Sequence, residues 1–347
     1  MSKINKNSRI AKRRVKKRKR RKLLYILIPF IIIIAAVGVY ANSLVNQAEN
    51  VVNESFEKSG REEEKSPLRP DTVDPSEDNV SILFIGVDDS EKRNKASHSL
   101  SDALILATLN KADKSVKMLS IPRDSYVYVP EVGYKTKITH AHAFGGPKAT
   151  IETVEGFLDV PVDYYFRLNF NAFVDVVDAL GGITYDVPYE IYEFDSDDNR
   201  NAIHLLPGEQ VLNGEQALAL ARTRKQDNDI ERGKRQQQIL QAIMSKVLSA
   251  NSILKYDNAI EAVGDNMATN MTFDQMKSFV SYATSGSIDI ETFSLEGSDL
   301  WTDAYYYQLN QQDLSNKKQL LQEHLEISES NNMTTDSGIS ESASPAQ

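Results

Sequence analysis

Short apolar runs alternate with amphipathic stretches between residues 80 and 250, and this alternation sets the fold class. VSILFIGV (80–87) is closed by Asp88-Asp89 and predicts a buried strand. ALILATL (103–109) and SVKMLSI (115–121) predict two more, joined by the polar turn NKADK, and YVYVP (126–130) predicts a fourth. In PKATIETVEGFLDV (147–160), Ile151, Val154, Phe157 and Leu158 recur at helical spacing. YYFRLN (164–169) predicts a strand, NAFVDVVDAL (171–180) a helix stopped by Gly181-Gly182, and ITYDV (183–187) another strand. GEQALALAR (214–222) and ERGKRQQQILQAIMSKVLS (231–249) predict helices, with further helical segments near 257–267 and 272–284. Elements in this order predict a three-layer α/β/α domain over residues 80–327, with a mixed central sheet and helices on both faces.

Composition changes the picture at the two ends. Residues 23–41, LLYILIPFIIIIAAVGVYA, are nineteen residues without a charge, and a helix of that length spans about 30 Å of hydrocarbon. Pro29 inside the run is tolerated by a membrane helix. Residues 1–22 hold thirteen Lys or Arg and no acid, and basic residues beside a spanning helix stay in the cytoplasm. The expectation is a basic cytoplasmic tail (1–22), one transmembrane helix (23–41) and the rest of the chain outside the cell. A cleaved signal peptide is the competing reading. Against it stand the length of the apolar run and the lack of a small-x-small site in ANSLVNQAEN. Residues 42–79 are polar and acidic, with three prolines in EEEKSPLRPDTVDPSED (62–78), and read as an extracellular stalk or linker. The serine-rich end, 328–347, reads as a disordered tail. No internal repeat is visible.

Charge narrows the partners. The basic tail suits phosphates, but its place beside the apolar run suits topology or anionic lipid better. Removing its thirteen positive charges from the whole-chain net of −9 leaves −22 for residues 23–347, a charge that repels nucleic acid. The absence of cysteine excludes a disulfide framework and a thiolate metal site.

Candidate chemistry lies in three places. Asp88 and Asp89 follow the first predicted strand and Asp102 precedes the second, so carboxylates converge at one sheet end if those strands are neighbours. Such hard oxygen ligands suit magnesium, which takes one or two carboxylates plus substrate phosphates; the bland reading is turn-forming aspartates. ARTRKQDNDIERGKRQQ (221–237) concentrates Arg222, Arg224, Arg232 and Arg235 in an otherwise acidic domain. Arg232 and Arg235 are three apart and share a helix face, and the guanidinium fork suits bidentate phosphate contacts. A charged outer helix face is the alternative. In SIPRDSY (120–126), Arg123 follows a strand and a proline, with Asp124 placed to orient it. Two carboxylates and five arginines together describe a site for a ligand with several phosphates.

These segments resemble the LytR–CpsA–Psr family, which attaches glycopolymers to the Gram-positive cell wall. The matching stretches are SILFIGVD (81–88), SDALILATLN (101–110), VKMLSIPRDSYVYVP (116–130), KITHAHAFGGP (137–147), VDYYFRLNF (162–170), DALGGITYDVP (178–188), LLPGEQVLNGEQALALARTRKQ (205–226) and DIERGKRQQ (229–237). The resemblance implies a magnesium-dependent phosphotransferase. It would move a glycopolymer-phosphate, such as teichoic acid or capsule, from a polyprenyl-pyrophosphate carrier to a muramic-acid hydroxyl of peptidoglycan. It further implies Asp88 and Asp102 as metal ligands, Arg123, Arg222, Arg224, Arg232 and Arg235 as pyrophosphate contacts, an Asp-x-x-Arg element at Asp229 and Arg232, and a glutamine at Gln236 or Gln237. Asp102, Arg123, Asp229 and Arg232 form the implied catalytic set, with Asp229 or Asp102 as proton acceptor. Two departures stand out: Leu100 and Ser90 occupy positions where many members carry arginine, with Arg93 and Lys95 as nearby substitutes.

The lipid tail needs an apolar slot, expected between the sheet and helices 171–180 and 231–249, where Phe173, Val177, Ile239 and Ile243 lie; plain core is the simpler assignment. His140 and His142 alternate in KITHAHAF and would share one face of a strand, but without a third ligand a structural role is favoured. Trp301 and Tyr305–Tyr307 read equally as a sugar-stacking surface or as the edge of the core. Two further readings compete with the ligase: a non-catalytic binder of pyrophosphate lipids, and a regulator acting through the basic tail.

Overall fold

The computed structural model describes residues 49–50, 52–88, 99–196, 199–223, 229–247, 266–278 and 288–327. The chain divides into a short unit, Met1–Asn50, and a large one, Val51–Gln347, which carries the fold. The apolar run 23–41 and the tail 328–347 lie outside the described residues, among which no helix is long and apolar enough to cross a membrane.

The large unit begins with strands β1 (Val80–Val87), β2 (Ser101–Asn110), β3 (Ser115–Ser120), β4 (Tyr126–Val129) and β5 (Tyr134–Lys137), then helix α1 (Thr139–Leu158). Strand β6 (Tyr164–Leu168), helix α2 (Phe170–Ala179) and strands β7 (Ile183–Val187), β8 (Ile191–Glu193), β9 (Ile203–Leu205) and β10 (Gly208–Leu212) follow. Helices α3 (Gly214–Arg222) and α4 (Asp229–Val247) precede β11 (Met267–Thr269), α5 (Phe273–Ser278), β12 (Asp289–Ser294), β13 (Gly297–Trp301), β14 (Tyr305–Leu309) and α6 (Gln311–His324).

Six strands form the central sheet in the order β11-β6-β1-β2-β3-β12. Strands β1 and β6 run parallel, as do β3 and β12, while β2 is antiparallel to both its neighbours. The sheet is therefore mixed, as expected. Its central strands bury both faces, which explains why they read as unbroken apolar runs. One face carries Leu83, Ile85, Leu104 and Leu106 against α1 and α6; the other carries Ile82, Ile105, Ala107 and Met118 against α4. A third apolar cluster, around Val177, Ile183, Leu220 and Ile239, joins α2, α3 and α4 to β7.

Three expectations are corrected. The segment around His140 is helical, because α1 starts at Thr139 and is broken only at Gly145 and Gly146, just before Pro147. Proline cannot donate to the preceding turn, and Gly146 supplies the positive φ of 61° that lets the chain restart. Where the helix expected near 257–267 would end, edge strand β11 (Met267–Thr269) begins; residues 257–265 lie outside the described residues. The segment expected as a stalk is packed into the domain from about residue 55 onward. Arg69 donates from Nε and Nη2 to the buried Asp163 at 3.0 and 2.7 Å, Arg61 pairs with the buried Glu155 at 3.3 Å, and Phe56 bridges to Thr269.

Candidate functional site

Asp88 leaves the end of β1, and Asp102 is the second residue of antiparallel β2, so both stand at the same end of the sheet. The register between these strands shifts: Gly86 faces Ala103 but Val87 faces Ser101, leaving Asp102 as the extra residue of a β-bulge. A regular strand would turn Asp102 to the face of Leu104. The bulge re-aims it, so that Asp102, Ala103 and Ile105 border one cavity. The approach to this bulge is pinned by α1. Thr139 Oγ1 donates to the carbonyl of Ser101 at 2.8 Å, and His142 Nδ1 contacts the carbonyl of Ser99 at 2.8 Å. His140 instead bonds Thr136 at 2.8 Å, and burial together with the Lys137 ammonium holds its imidazole below the usual range. Two helical positions two apart point in different directions, so these histidines form no metal pair.

Arg123 stands on the loop after β3. Its Nη1 donates to Asp102 Oδ1 at 2.7 Å, and its Nε pairs with Asp124 at 3.5 Å. Asp124 is buried and takes a second cation, Lys137 Nζ, at 2.6 Å. The expectation that Asp124 orients Arg123 therefore has a geometric basis. Backbone bonds from Thr139 to Arg123 and from Tyr307 to Asp124 fix the loop.

Helices α2, α3 and α4 close the cavity, whose volume is about 570 Å³. Arg232, Gln236, Ile239, Leu240 and Ile243 form one stripe of α4 along its wall, at helical spacings of four, three, one and three. Arg222, the last residue of α3, reaches the same cavity, with its guanidinium 4.7 Å from the ring of Phe170. Phe173 and Val176 of α2 face these residues, and the floor is the stacked pair Phe84 and Phe166, 5.7 Å apart. One end of the cavity is thus aliphatic and aromatic. The other is charged, with Asp88, Asp102, Arg123, Arg222 and Arg232 around it. Of the apolar residues expected in a slot, Phe173, Ile239 and Ile243 border it, and Val177 is buried in the helical core.

Not every expected residue meets there. Arg235 is buried and directs Nε to the carbonyl of Leu220 at 3.1 Å and Nη2 to that of Thr223, so it closes the end of α3 and borders a different cavity. Of the two glutamines, Gln236 borders the site and donates to Ala221, whereas the buried Gln237 ties α4 to the carbonyls of Met118 and Phe293. Arg224, Asp89, Ser90, Arg93 and Lys95 lie outside the described residues, as does the side chain of Asp229, whose backbone opens α4. Leu100 is 42% exposed. Glu193 and Asn169 border the cavity without having been expected. Asn169, read in the sequence as the end of the strand 164–169, is the N-cap of α2, where its side chain accepts from the N–H of Ala172.

Glycines bring α3 and α4 close to their neighbours, strictly so at Gly214, where the neighbour is backbone, and less so at Gly233, where it is a serine hydroxyl. A Cβ on Gly214 would come within 2.3 Å of the Val174 carbonyl oxygen, so α2 and α3 touch backbone to backbone there. A Cβ on Gly233 would lie 2.6 Å from Ser120 Oγ, which lets the start of α4 settle over the end of β3 beside Arg123.

The sequence model of the LytR_cpsA_psr family matches residues 43–323. A Bacillus subtilis protein named polyisoprenyl-teichoic acid–peptidoglycan teichoic acid transferase TagT is 39% identical over 324 residues, spanning 91% of this chain and 99% of its own. A structure of TagT bound to LIIa-WTA superposes with a TM-score of 0.67 at 38% identity, covering 77% of this chain and 98% of that one. A second TagT structure, with bound octaprenyl pyrophosphate lipid, gives 0.62 at 35% identity over 76% and 98%.

Proposed function

The chain belongs to the LytR–CpsA–Psr family, and from that premise we propose that it is a phosphotransferase of the cell wall. It moves a glycopolymer-phosphate, teichoic acid in the relatives' names, from a polyprenyl-pyrophosphate carrier to a muramic-acid hydroxyl of peptidoglycan. The observation that carries this reading is the two-ended cavity: an apolar trough suited to an isoprenoid opens directly onto three arginines and two aspartates. In this reading the apolar run 23–41 anchors the enzyme, with its domain outside the cell, where peptidoglycan is.

The prenyl chain lies along Phe84, Phe166, Phe173, Ile239 and Ile243, and its pyrophosphate reaches Arg123, Arg222 and Arg232. The acceptor hydroxyl attacks the polymer-linked phosphorus, forming a phosphodiester. The bond to the bridging oxygen breaks, and polyprenyl phosphate leaves with those electrons. The hydroxyl proton passes to a carboxylate, Asp102 or Asp229. Charge builds on the equatorial and leaving oxygens, so fixed guanidinium groups stabilise the transition state more than the ground state. The Asp102–Arg123–Asp124–Lys137 chain holds Arg123 in place before substrate arrives. Two carboxylates beside a phosphate site fit magnesium, which would be held by Asp88 and Asp102 and would supply further charge neutralisation.

The test is polyprenyl-pyrophosphate binding and polymer transfer by single variants of the purified chain. Arg123→Lys, Arg222→Lys and Arg232→Lys keep the charge but lose the bidentate fork, so each should weaken binding about tenfold or more. Lys234→Gln, at an exposed residue paired with Glu231 at 2.7 Å, should leave binding unchanged. Asp88→Asn and Asp102→Asn should lower transfer by orders of magnitude without unfolding the domain. Equal small losses at all the basic positions would mean diffuse attraction, and the site assignment would be withdrawn.

A further inference from the structure

Beyond the donor cavity, the loop that carries Arg123 leads to an aromatic surface. The hairpin β13–β14 is attached to that loop: Ser125 bridges to Tyr307, and the Tyr307 N–H donates to the Asp124 carbonyl at 2.8 Å. Across the hairpin Trp301 pairs with Tyr305, their rings 5.1 Å apart, and Trp301 is 74% exposed. Tyr306 packs on Tyr126 of β4 at 4.7 Å. Lys137 of β5 joins the surface to the site, because its ammonium pairs with Asp124 and lies 5.7 Å from the Tyr305 ring and 5.9 Å from that of Tyr306. The exposed large apolar residues of these two hairpins, Tyr128, Tyr134 and Trp301, are all aromatic.

We propose that this surface, centred on Trp301 and Tyr305, is the docking platform for the acceptor glycan strand of peptidoglycan; the proposal rests on the transferase reading above. A pyranose ring has an apolar C–H face and a polar rim. It is matched by flat rings bordered by hydroxyls and charges, here the Tyr305 hydroxyl, Asp299, Asp303 and Lys137. Tryptophan and tyrosine also suit a membrane interface, but the carboxylates of Asp299 and Asp303 beside these rings oppose an anionic lipid surface. Continuity gives the second argument. Arg123 touches Asp102 at the cavity on one side and Asp124 on the other, and Asp124 touches Lys137 under the tyrosines. A strand lying on Trp301 and Tyr305 therefore approaches the reacting phosphorus from a side distinct from the prenyl trough, leaving one hydroxyl to reach the site.

Trp301 is the chain's single tryptophan, so its emission reports the platform directly. Adding polymer-free glycan strands to the full chain should shift that emission, with a midpoint near the acceptor KM for transfer. Polyprenyl pyrophosphate alone should not shift it. Trp301→Ala and Tyr305→Ala should raise the acceptor KM about tenfold each, equivalent to about 1.4 kcal/mol, with donor KM unchanged, and Trp301→Phe should recover most of the loss. Transfer that proceeds at saturating glycan without any emission change would overturn the platform and leave the transferase reading standing. An emission shift with no transfer would uphold glycan binding at this surface while removing the transferase reading and, with it, the acceptor role. An equal rise in donor KM, or an equal response to glycan-free lipid vesicles, would also overturn the proposal.

Discussion

Arg69→Met measures how far the acidic segment before β1 belongs to the folded domain. The Arg69 and Asp163 side chains are 8% and 2% exposed, and the arginine closes two bonds on the carboxylate and a third, at 2.9 Å, on the Asn79 carbonyl. Asp163 also receives the Ser81 N–H at 2.8 Å, so the pair joins the segment to the first residues of β1. Methionine keeps much of the arginine's stem but leaves the carboxylate as an uncompensated buried charge, which costs about 3–5 kcal/mol. For a domain of this size each kcal/mol lowers Tm by roughly 2–4 °C, giving a fall of roughly 6–20 °C. Urea unfolding followed by circular dichroism, with a thermal melt alongside, measures it. Adding Asp163→Asn removes the stranded charge while keeping an acceptor for Ser81, so the double variant should recover a large part of the loss. A change below about 1 kcal/mol for Arg69→Met would refute the reasoning and return residues 55–79 to the status of a spacer.

Gly214→Ala should destabilise the domain by at least about 1–3 kcal/mol, because the new methyl meets the Val174 backbone and α2 must move away from α3; urea midpoints give the value. Since α2 and α3 both border the donor cavity, lipid affinity should fall in the same variant. Acid should weaken the fold through His324, whose ring nitrogens contact Thr108 and Ser115 at 2.7 and 2.8 Å. Burial first, and then Lys117, hold its pKa below the ordinary 6.5, while Asp113, Glu291 and Glu326 oppose them. The depressed value means that His324 contributes full stability above pH 6.5 and loses it as pH falls through the folded-state pKa. His324→Gln should therefore show a shallower fall in urea midpoint between pH 7.5 and pH 5 than the unaltered chain, and identical slopes would count against this role.

What the sequence revealed and what it hid follow from the range of the forces involved. The four inner strands of the central sheet, β6, β1, β2 and β3, were legible as short apolar runs, whereas the edge strands β11 and β12 were not. Helix α3 was legible as GEQALALAR, and the structure closes its start with the Asn213–Gln216 capping box. The cavity stripe of α4 was legible as periodicity. Arg235 was not separable from Arg232, since a three-residue step spans a wide sector of the helix surface and only the neighbouring α3 decides which carbonyls it meets. The bulge at Asp102 depends on pairing with β1, which no local pattern encodes. The segment 55–79 reads as a linker by composition, yet two of its arginines find buried acids about a hundred residues away. KITHAHAF alternates like a strand over a few residues, and the Gly-Gly-Pro break after it hides its continuity with the helix that follows.

The central claim is that the arginine-rich end of an apolar trough performs a transfer and does more than hold a lipid. It is tested most directly by reconstitution with pure components. The full chain is mixed with polyprenyl-pyrophosphate-linked wall polymer and with peptidoglycan stripped of polymer, and the wall-bound phosphodiester and free polyprenyl phosphate are counted by mass spectrometry. The expected result is one muramic-acid phosphodiester for each polyprenyl phosphate released, with both products lost together in Arg123→Lys and Asp102→Asn. Tight binding of the donor with neither product formed would contradict the claim and leave a carrier-binding protein in its place.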